Sequence, residues 1–292
     1  MIRLVVTGRS GQVATSLAER AAMHPGIDVI TLGRPDLDLE RPETVGPAIQ
    51  AARPGIVVNA AAFTAVDKAE SESGRAFSAN RDGAGAAAAA AHALGVPFIQ
   101  LSTDYVYPGD KPAPYVETDA TGPLGVYGAS KLAGEEAVKA AHASPVIFRT
   151  AWVYSPFGAN FVKTMLRLGK ERDVLRVVDD QRGNPTSAID IADAILKVVP
   201  DLLAGTGTGG TYHLCGEGSV TWCGFARHIF DAAASRGGAR PQIEAITTAE
   251  FPTPARRPAN SMLDTSAFAA RFGFRLRPWQ DAVTETVERL LV

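Results

Sequence analysis

The chain has 292 residues, of which 46% are hydrophobic and 21% charged, so it can bury a sizeable core in one or two domains. Its formal net charge of -2 leaves no broad electrostatic footprint for nucleic acid or for an anionic membrane. No apolar run approaches the roughly 20 residues of a membrane span, and no signal peptide is visible. We therefore expect a soluble, cytoplasmic protein with neither nucleic acid nor membrane as a partner.

The first half of the chain alternates short apolar runs with helical stretches. The apolar runs predict strands at residues 2–6, 28–32, 56–59, 97–101 and 145–148. Helices are predicted to begin near Gln12, Pro42, Glu70 and Val126. Strands that are apolar throughout and separated by helices indicate a parallel sheet covered on both faces. The predicted fold class is therefore α/β, with a Rossmann-type doubly wound parallel sheet.

After Arg149 the alternation loosens into mixed helices and short strands, with turn-rich joints such as DDQRGNPTS and FPTPARRPANS. This change predicts a smaller mixed α/β lobe at the C-terminal side. We expect residues 1–152, together with about 185–214, to form the Rossmann domain. Residues 153–184 and 215–292 would form the smaller lobe, and the glycine-rich run 205–210 would be a surface turn.

A glycine-rich turn joins the first predicted strand to the first helix. The segment LVVTGRSGQVATSLAER places Gly8 and Gly11 in this turn, with Ala14 where a third glycine might stand. Gly8 permits the tight turn, Gly11 lets the backbone approach a pyrophosphate, and Ala14 lets the helix pack closely on the sheet. At this place in an alternating chain, the motif predicts dinucleotide binding rather than a merely tight turn.

The end of the second predicted strand, Thr31-Leu32-Gly33-Arg34, bears on the choice of cofactor. An acidic residue about 20 residues after the glycine motif would normally bind the adenosine ribose hydroxyl. Here Gly33 removes the acid, and the Arg34 guanidinium offers a fork suited to a 2′-phosphate. The sequence predicts NADPH in preference to NADH, unless Arg34 is only a solvated loop residue.

Two further strand ends are expected to face the same crevice. The third strand runs into the small residues 60–62, which would let a flat ligand approach, although tight packing explains alanines equally well. The fourth strand runs VPFIQLSTDYVYPGD and ends in Ser102, Thr103 and Asp104. A hydroxyl leaving the carboxyl end of that strand would point towards the nicotinamide.

The segment VYGASKLAGEEAV places Tyr127 and Lys131 one helical turn apart, so both side chains lie on one face. A ketone that accepts a hydride needs a proton for the developing alkoxide, and a phenol can donate it. We expect Lys131 to lower the pKa of Tyr127 and to hold the nicotinamide ribose, while Thr103 hydrogen-bonds the carbonyl oxygen. The three residues together predict a ketone reductase site.

On these motifs the chain resembles the extended short-chain dehydrogenase/reductases, and within them the dTDP-4-dehydrorhamnose reductases. The resemblance covers nearly the whole length and rests on segments such as TGRSGQV, LSTDYVYPG and ETDATGPLGVYGASKLAGE. It implies reduction of the C4 keto group of dTDP-4-dehydro-L-rhamnose to dTDP-L-rhamnose with NADPH, NADH being possible. The Rossmann domain would bind NADP and the smaller lobe the sugar nucleotide.

The resemblance also implies roles for individual residues. Tyr127 would be the proton donor, Lys131 its partner and Thr103 the residue that stabilises the carbonyl oxygen, while Asp104 and Trp152 would contact the sugar nucleotide. The residues that would hold the cofactor are Gly11, Gln12 and Val13 at the phosphates, Asp38 and Leu39 at the adenine, and Ala62, Phe63 and Thr64 further in. Independently of the resemblance, Arg257 could meet the substrate diphosphate or belong to a solvated loop.

Other questions stay open at this point. Some relatives are magnesium-linked dimers, but the acidic pair near the C-terminus is only Glu285 and Glu288, so the metal and the choice between monomer and homodimer are open. A dehydratase on the same scaffold usually has a glutamate where this chain has Tyr105, which favours simple reduction over dehydration or epimerisation. A non-catalytic regulatory subunit that binds NADP would have no need for a matched acid and ammonium.

Overall fold

A computed structural model describes residues 1–205 and 209–292, which fold into alternating strands and helices. Part of the run 205–210, predicted to be a turn, lies outside the described residues. The strands are β1 Ile2–Thr7, β2 Ile27–Leu32, β3 Ile56–Asn59, β4 Phe98–Thr103, β5 Val146–Thr150, β6 Val153–Tyr154, β7 Val174–Val178, β8 Arg182–Gly183, β9 Thr186–Ser187, β10 Gly210–His213, β11 Val220–Thr221 and β12 Gln242–Ile246.

The α-helices of the described ranges are α1 Gln12–Arg20, α2 Pro42–Ala52, α3 Val66–Ala69, α4 Ser73–Phe77, α5 Ala84–Ala93, α6 Val126–Ala141, α7 Phe161–Glu171, α8 Ala188–Leu203, α9 Trp222–Ala234, α10 Ser266–Phe272 and α11 Trp279–Leu291. Short 3₁₀ turns and one π-helical turn, Ser78–Gly83, connect some of them. In these ranges no helix combines the length and the apolar character needed to cross a membrane.

Six strands of the described residues form one parallel sheet in the order β10-β5-β4-β3-β1-β2. The predicted α/β, Rossmann-like fold class is confirmed, and the five predicted strands agree with β1 to β5 to within two residues at each end. Strand β10 escaped prediction because GTYH is short and carries no apolar run. The order in which successive strands are added to the sheet reverses between β1 and β3, because β2 lies on one side of β1 and β3 on the other. Ligands of such sheets bind at this switch point.

Hydrophobic clusters cover both faces of the sheet, as expected for strands that are apolar throughout. On one face, Leu4 and Val6 of β1 pack against helices α1 and α8. On the other face, Val57 of β3 and Ile147 of β5 pack with α2, α5 and α6. The alanine-rich helix α5 lies in this second cluster, where its small side chains permit the close approach that its sequence predicts.

A third cluster forms the interior of the smaller lobe and joins α7, α9 and α11 to β7. Helix α10, which the predicted division places in that lobe, instead contributes Phe268 and Phe272 to the core of the large sheet. The lobe boundaries therefore stay a prediction. The side chain of Gln12 connects the two parts, because its Oε1 accepts hydrogen bonds from Ser155 Oγ at 2.8 Å and Asn160 Nδ2 at 3.0 Å.

The helix expected from about Glu70 is interrupted. Helix α4 begins at Ser73 and passes through the π-helical turn into α5. Inside this turn the buried side chain of Asn80 donates to the carbonyl oxygen of Phe63 at 3.1 Å and to Ser130 Oγ at 2.9 Å, and its Oδ1 accepts from Phe63 N at 2.7 Å. Such turns recur at functional sites, and this one ties the end of β3 to helix α6.

Helix α6 lies so close to this turn that Gly134 has no room for a side chain, since a Cβ there would collide with the carbonyl oxygen of Asn80. We expect Gly134→Ala to lower the free energy of unfolding by about 1–3 kcal/mol, as overpacked substitutions do. Gly46 of α2 faces open space, with no atom within 4 Å of the place that a Cβ would take. Gly46→Ala should therefore raise the free energy of unfolding by up to about 1 kcal/mol. Urea unfolding measures both, and a stabilised Gly134→Ala protein would contradict the packing.

Candidate active site

A cavity of about 1110 Å³ opens at the carboxyl ends of strands β1 to β5, between the Rossmann domain and the smaller lobe. This is the edge at which open parallel sheets bind ligands. Every site residue expected from the sequence except Arg257 lines it. These residues are Gly8, Gly11, Gln12, Val13, Arg34, Asp38, Leu39, Ala62, Phe63, Thr64, Thr103, Asp104, Tyr127, Lys131 and Trp152.

The N-terminus of α1 faces one end of the cavity. Gly8 has φ of 99°, a conformation that side-chain-bearing residues rarely adopt, and Gly11 caps the helix without a side-chain hydrogen bond. The first turn carries no acidic residue, so its backbone N–H groups and the helix dipole favour an anion such as a pyrophosphate. Ala14 is fully buried against the sheet. The turn therefore fits a dinucleotide, as its sequence predicts.

The end of the cavity beside the end of β2 carries a rim of arginines that are already paired. Arg34 Nε lies 3.2 Å from Asp38 Oδ1, and its Nη2 lies 3.1 Å from Glu40 Oε1. Arg75 Nε contacts the other oxygen of Glu40 at 2.8 Å, and Arg9 lines the same end. A 2′-phosphate bound here would have to exchange partners with these carboxylates.

The three candidate catalytic side chains converge at the other end of the cavity. Thr103 is the last residue of β4, Tyr127 lies in the first turn of α6, and their hydroxyl groups share a hydrogen bond. Thr103 Oγ1 donates to Asp104 Oδ1 at 2.9 Å. Lys131 is 4% exposed, and its Nζ donates to the carbonyl oxygen of Leu101 at 2.7 Å. The spacing of Tyr127 and Lys131 thus places both beside the end of β4.

Burial decides the pKa of Tyr127. Removal from water, together with the Asp104 carboxylate, raises this pKa to about 12, and the hydrogen bond to Thr103 opposes the rise. Our expectation that Lys131 lowers the pKa of the phenol is therefore wrong for this structure, in which the ammonium donates to Leu101 O. The phenol stays protonated near neutrality, as a proton donor must.

Burial also shifts two neighbours towards their neutral forms. It lowers the pKa of Lys131 to about 8, opposed by the charge of Glu135. It raises the pKa of Asp104 to about 6, opposed by hydrogen bonds from Ser261 and Thr103. Within the described residues, Asp104 Oδ2 is buried without a hydrogen-bond partner. A buried polar atom left unpaired at the wall of a cavity is suited to bind a ligand hydroxyl.

Trp152 lies two residues beyond the end of β5 and lines the cavity. It has φ of 47°, which is rare for a bulky residue, and backbone strain of this kind is concentrated at functional sites. Its indole stacks on that of Trp222 with ring centroids 3.5 Å apart and planes 7° apart. Gly183 leaves room for it, because a Cβ there would lie 2.5 Å from the indole. The pair offers a flat wall for a sugar or a base.

Sequence reasoning identified Trp152 but missed Trp222 and Asn80. Trp222 begins helix α9, about 70 residues further along the chain, and only the fold brings the two indoles together. Asn80 lies in the segment SANRDG, where an alanine-rich helical pattern is broken by polar residues. The polar residues that interrupt the alanine-rich pattern were the only sign in the sequence that Asn80 makes buried hydrogen bonds.

Arg257 lies away from the cavity lining. Its Nη2 pairs with Asp67 Oδ2 at 2.9 Å, and its Nη1 donates to the carbonyl oxygen of Ala255 at 3.3 Å. Contact with the substrate diphosphate stays a prediction for this residue. In the part of the chain that the structure describes, no group of His, Cys, Asp or Glu could hold a metal ion, and Glu285 and Glu288 pair with arginines.

The fold and the cavity define an NAD(P)-binding oxidoreductase of the short-chain dehydrogenase/reductase type. The family model described as the RmlD substrate binding domain matches residues 2–292, and the chain belongs to this family. It is similar to the dTDP-4-dehydrorhamnose reductase of Sinorhizobium fredii, with 48% identity over 100% of this chain and 98% of the relative. The family resemblance seen in the sequence is thereby confirmed.

Solved structures of dTDP-4-dehydrorhamnose reductases have the same fold as this chain. The chain is similar to a dTDP-4-dehydrorhamnose reductase from Clostridium acetobutylicum, with a TM-score of 0.92 and 36% identity over 100% of both chains. It is also similar to the dTDP-4-dehydrorhamnose reductase of Bacillus anthracis in complex with NADP, with a TM-score of 0.91 and 35% identity over 99% of this chain and 100% of the other. Both similarities extend over the two lobes.

Proposed function

We propose that the chain is a dTDP-4-dehydrorhamnose reductase, which reduces the C4 keto group of dTDP-4-dehydro-L-rhamnose in the final step of dTDP-L-rhamnose biosynthesis. The observation that carries this proposal is the convergence of Thr103, Tyr127 and Lys131 in one cavity beside the glycine turn. Identity of 48% over the whole chain to a reductase of this name supports the substrate. The NADP in the Bacillus anthracis relative supports the cofactor.

The residues of the cavity fit NADPH, which supplies a hydride to the keto carbon when bound. The backbone of residues 11–13 would hold its phosphates at the N-terminus of α1, and Lys131 would hold the nicotinamide ribose. The small side chain of Ala62 leaves the end of β3 open to it. Preference for NADPH over NADH, a cytoplasmic location, and the choice between monomer and homodimer stay predictions.

The protein's part in the reaction is to donate a proton to the C4 oxygen and to stabilise the negative charge that develops there. The phenol of Tyr127 donates its proton to the C4 oxygen, and the ammonium of Lys131, one helical turn away, holds the nicotinamide ribose beside it. Thr103 donates to Asp104 in the absence of substrate. When its O–H turns to the C4 oxygen, it stabilises the growing charge there and leaves Asp104 able to accept a hydrogen bond from a sugar hydroxyl.

The geometry favours reduction over dehydration. A dehydratase needs a carboxylate directly after the Thr-Asp pair. Here Tyr105 takes that position in the cavity lining, and burial raises its pKa above the ordinary value of a phenol. Net consumption of NADPH would separate a reductase from an epimerase or dehydratase, which recycle a bound cofactor. Tight NADPH binding without turnover of the sugar would indicate the regulatory subunit.

Removal of the Tyr127 hydroxyl tests the assignment of the acid. We expect Tyr127→Phe to lower kcat by about 10²–10⁴-fold and to leave NADPH affinity almost unchanged, because the hydroxyl gives the proton and little of the cofactor contact. NADPH oxidation with freshly generated dTDP-4-dehydro-L-rhamnose measures the rate, and fluorescence titration the affinity. The control Tyr212→Phe, on β10 outside the cavity lining, should keep the wild-type rate. Normal turnover by Tyr127→Phe would refute its role.

The pH profile should report Lys131. Its ammonium is the active form, and burial lowers its pKa to about 8, so kcat/KM should fall as the pH rises through about 8. Lys131→Arg keeps a positive charge at every accessible pH, so its slower reaction should lose this alkaline decline. A decline that stays near pH 8 in Lys131→Arg would assign the titration to another group.

The arginine rim should set the cofactor preference. Arg34→Ala removes a candidate phosphate ligand and should lower the ratio of kcat/KM for NADPH to that for NADH by about tenfold. Glu40→Gln weakens the pairing of Arg34 and Arg75 and should raise the same ratio. Steady-state kinetics with both cofactors measures this, and a wild-type preference for NADH would contradict the assignment.

A further inference from the structure

Helix α6 buries a second charged residue, Glu135, one turn beyond Lys131. The Glu135 side chain is 0% exposed, and its carboxylate accepts two hydrogen bonds from Arg149, from Nε at 2.9 Å and from Nη2 at 2.6 Å. It also accepts from Ser102 Oγ at 2.5 Å. Burial of such a pair costs desolvation energy that apolar residues would not incur, so stability alone does not explain it.

The contacts of Glu135 continue those of Lys131. Two consecutive residues of β4 are tied to two successive turns of α6: Leu101 O accepts from Lys131 Nζ at 2.7 Å, and Ser102 donates to Glu135. The next residue along the strand is Thr103. Because the strand and the helix are joined at two points, the position of Thr103 relative to the catalytic face of α6 is fixed.

Glu135 lies one helical turn from Lys131 on the same helix. Other ionisable residues line the same cavity as Lys131, among them Tyr127 on that helix, Asp104 after the end of β4, and Lys68, Glu72 and Arg75. Burial lowers the pKa of Lys131 to about 8, and Glu135 is the group whose charge raises it. Without that carboxylate, burial would drive the ammonium further towards its neutral form.

Beyond Arg149 the network continues through Tyr107 and His213. Arg149 Nη1 donates to Tyr107 Oη at 2.7 Å, and Tyr107 Oη lies 2.8 Å from His213 Nε2. Burial raises the pKa of Tyr107 to about 12 and lowers that of His213 to about 4, so both are neutral near pH 7. Tyr105 is neutral as well, because burial raises its pKa. Among Glu135, Arg149, Tyr107 and His213, the charge is therefore carried by Glu135 and Arg149, and the Glu117 carboxylate lies at the outer end, where it accepts from His213 N at 2.8 Å.

We propose that Glu135 is a positioning residue of the reductase site: its carboxylate keeps Lys131 in the ammonium form and, through Ser102, sets Thr103 against Tyr127. Arg149 holds the carboxylate in place and compensates its buried charge. The catalytic consequence rests on the proposed function, whereas the charge of Lys131 can be measured with no substrate present.

The direct test is the titration of Lys131 by ¹³C NMR in the full chain labelled with [ε-¹³C]lysine, with Lys131→Met to assign the signal. Glu135→Gln removes the charge and retains an oxygen that can accept from Ser102. We expect it to lower the pKa of Lys131 by about one unit and to move the alkaline decline of kcat/KM by the same amount. A purely structural role would change the melting temperature and leave the titration unchanged, which would overturn the proposal.

A double variant keeps the test decisive. Glu135→Gln leaves the Arg149 guanidinium buried without its carboxylate partner. If the Glu135→Gln protein does not fold for that reason, the titration is done on Glu135→Gln/Arg149→Gln, which removes both charges. A Lys131 pKa below the wild-type value in the double variant supports the proposal, and an unchanged value overturns it.

Ser102→Ala tests the positioning role separately, since it keeps the charge and removes one of the two ties. We expect kcat to fall about tenfold while the pKa of Lys131 stays at the wild-type value. A wild-type kcat in Ser102→Ala would overturn the positioning role. If the wild-type chain does not reduce the sugar nucleotide at all, the proposed function fails, and the NMR titration still decides the role of Glu135.

Discussion

Gly128 and Gly134, on either side of Lys131, let helix α6 approach the sheet edge closely. A Cβ at Gly128 would collide with the carbonyl oxygen of Tyr105, and one at Gly134 with that of Asn80. The backbone of α6 therefore lies directly against the residues that follow β4 and against the π-helical turn. Tyr127 and Lys131 reach the end of β4 because of this contact, so the site depends on it as much as on the reacting groups.

The same exclusion of water has opposite effects on the two catalytic groups. Burial raises the pKa of Tyr127, which keeps the phenol protonated and makes it a weaker acid. Burial lowers the pKa of Lys131, which works against the positive charge that the site needs. A buried carboxylate held by an arginine offsets the second effect without reversing the first, since Glu135 acts on the ammonium and does not contribute to the pKa of Tyr127.

The sequence was sufficient to predict what depends on local pattern. Apolar runs gave the strands, and the glycine turn, Thr103 and the Tyr127–Lys131 spacing identified residues that the fold brings into one cavity. It could not predict what depends on distant contacts. The stack of Trp152 on Trp222 joins residues far apart in the chain, and the wrong expectation for the Tyr127 pKa arose because spacing cannot show that Lys131 donates to Leu101.

The arginines at the rim of the cavity are paired with carboxylates, which bears on the predicted choice between NADPH and NADH. Arg34 is positioned for a 2′-phosphate, but in the protein alone it pairs with Asp38 and Glu40. A 2′-phosphate that binds Arg34 must displace a carboxylate that already makes a charge-assisted contact with the guanidinium. The net gain in binding free energy is therefore smaller than the free energy of the new contact alone. The same carboxylates can accept a hydrogen bond from the 2′-hydroxyl of NADH. On this argument, we expect the cofactor preference to depend on the carboxylates of the rim as well as on Arg34.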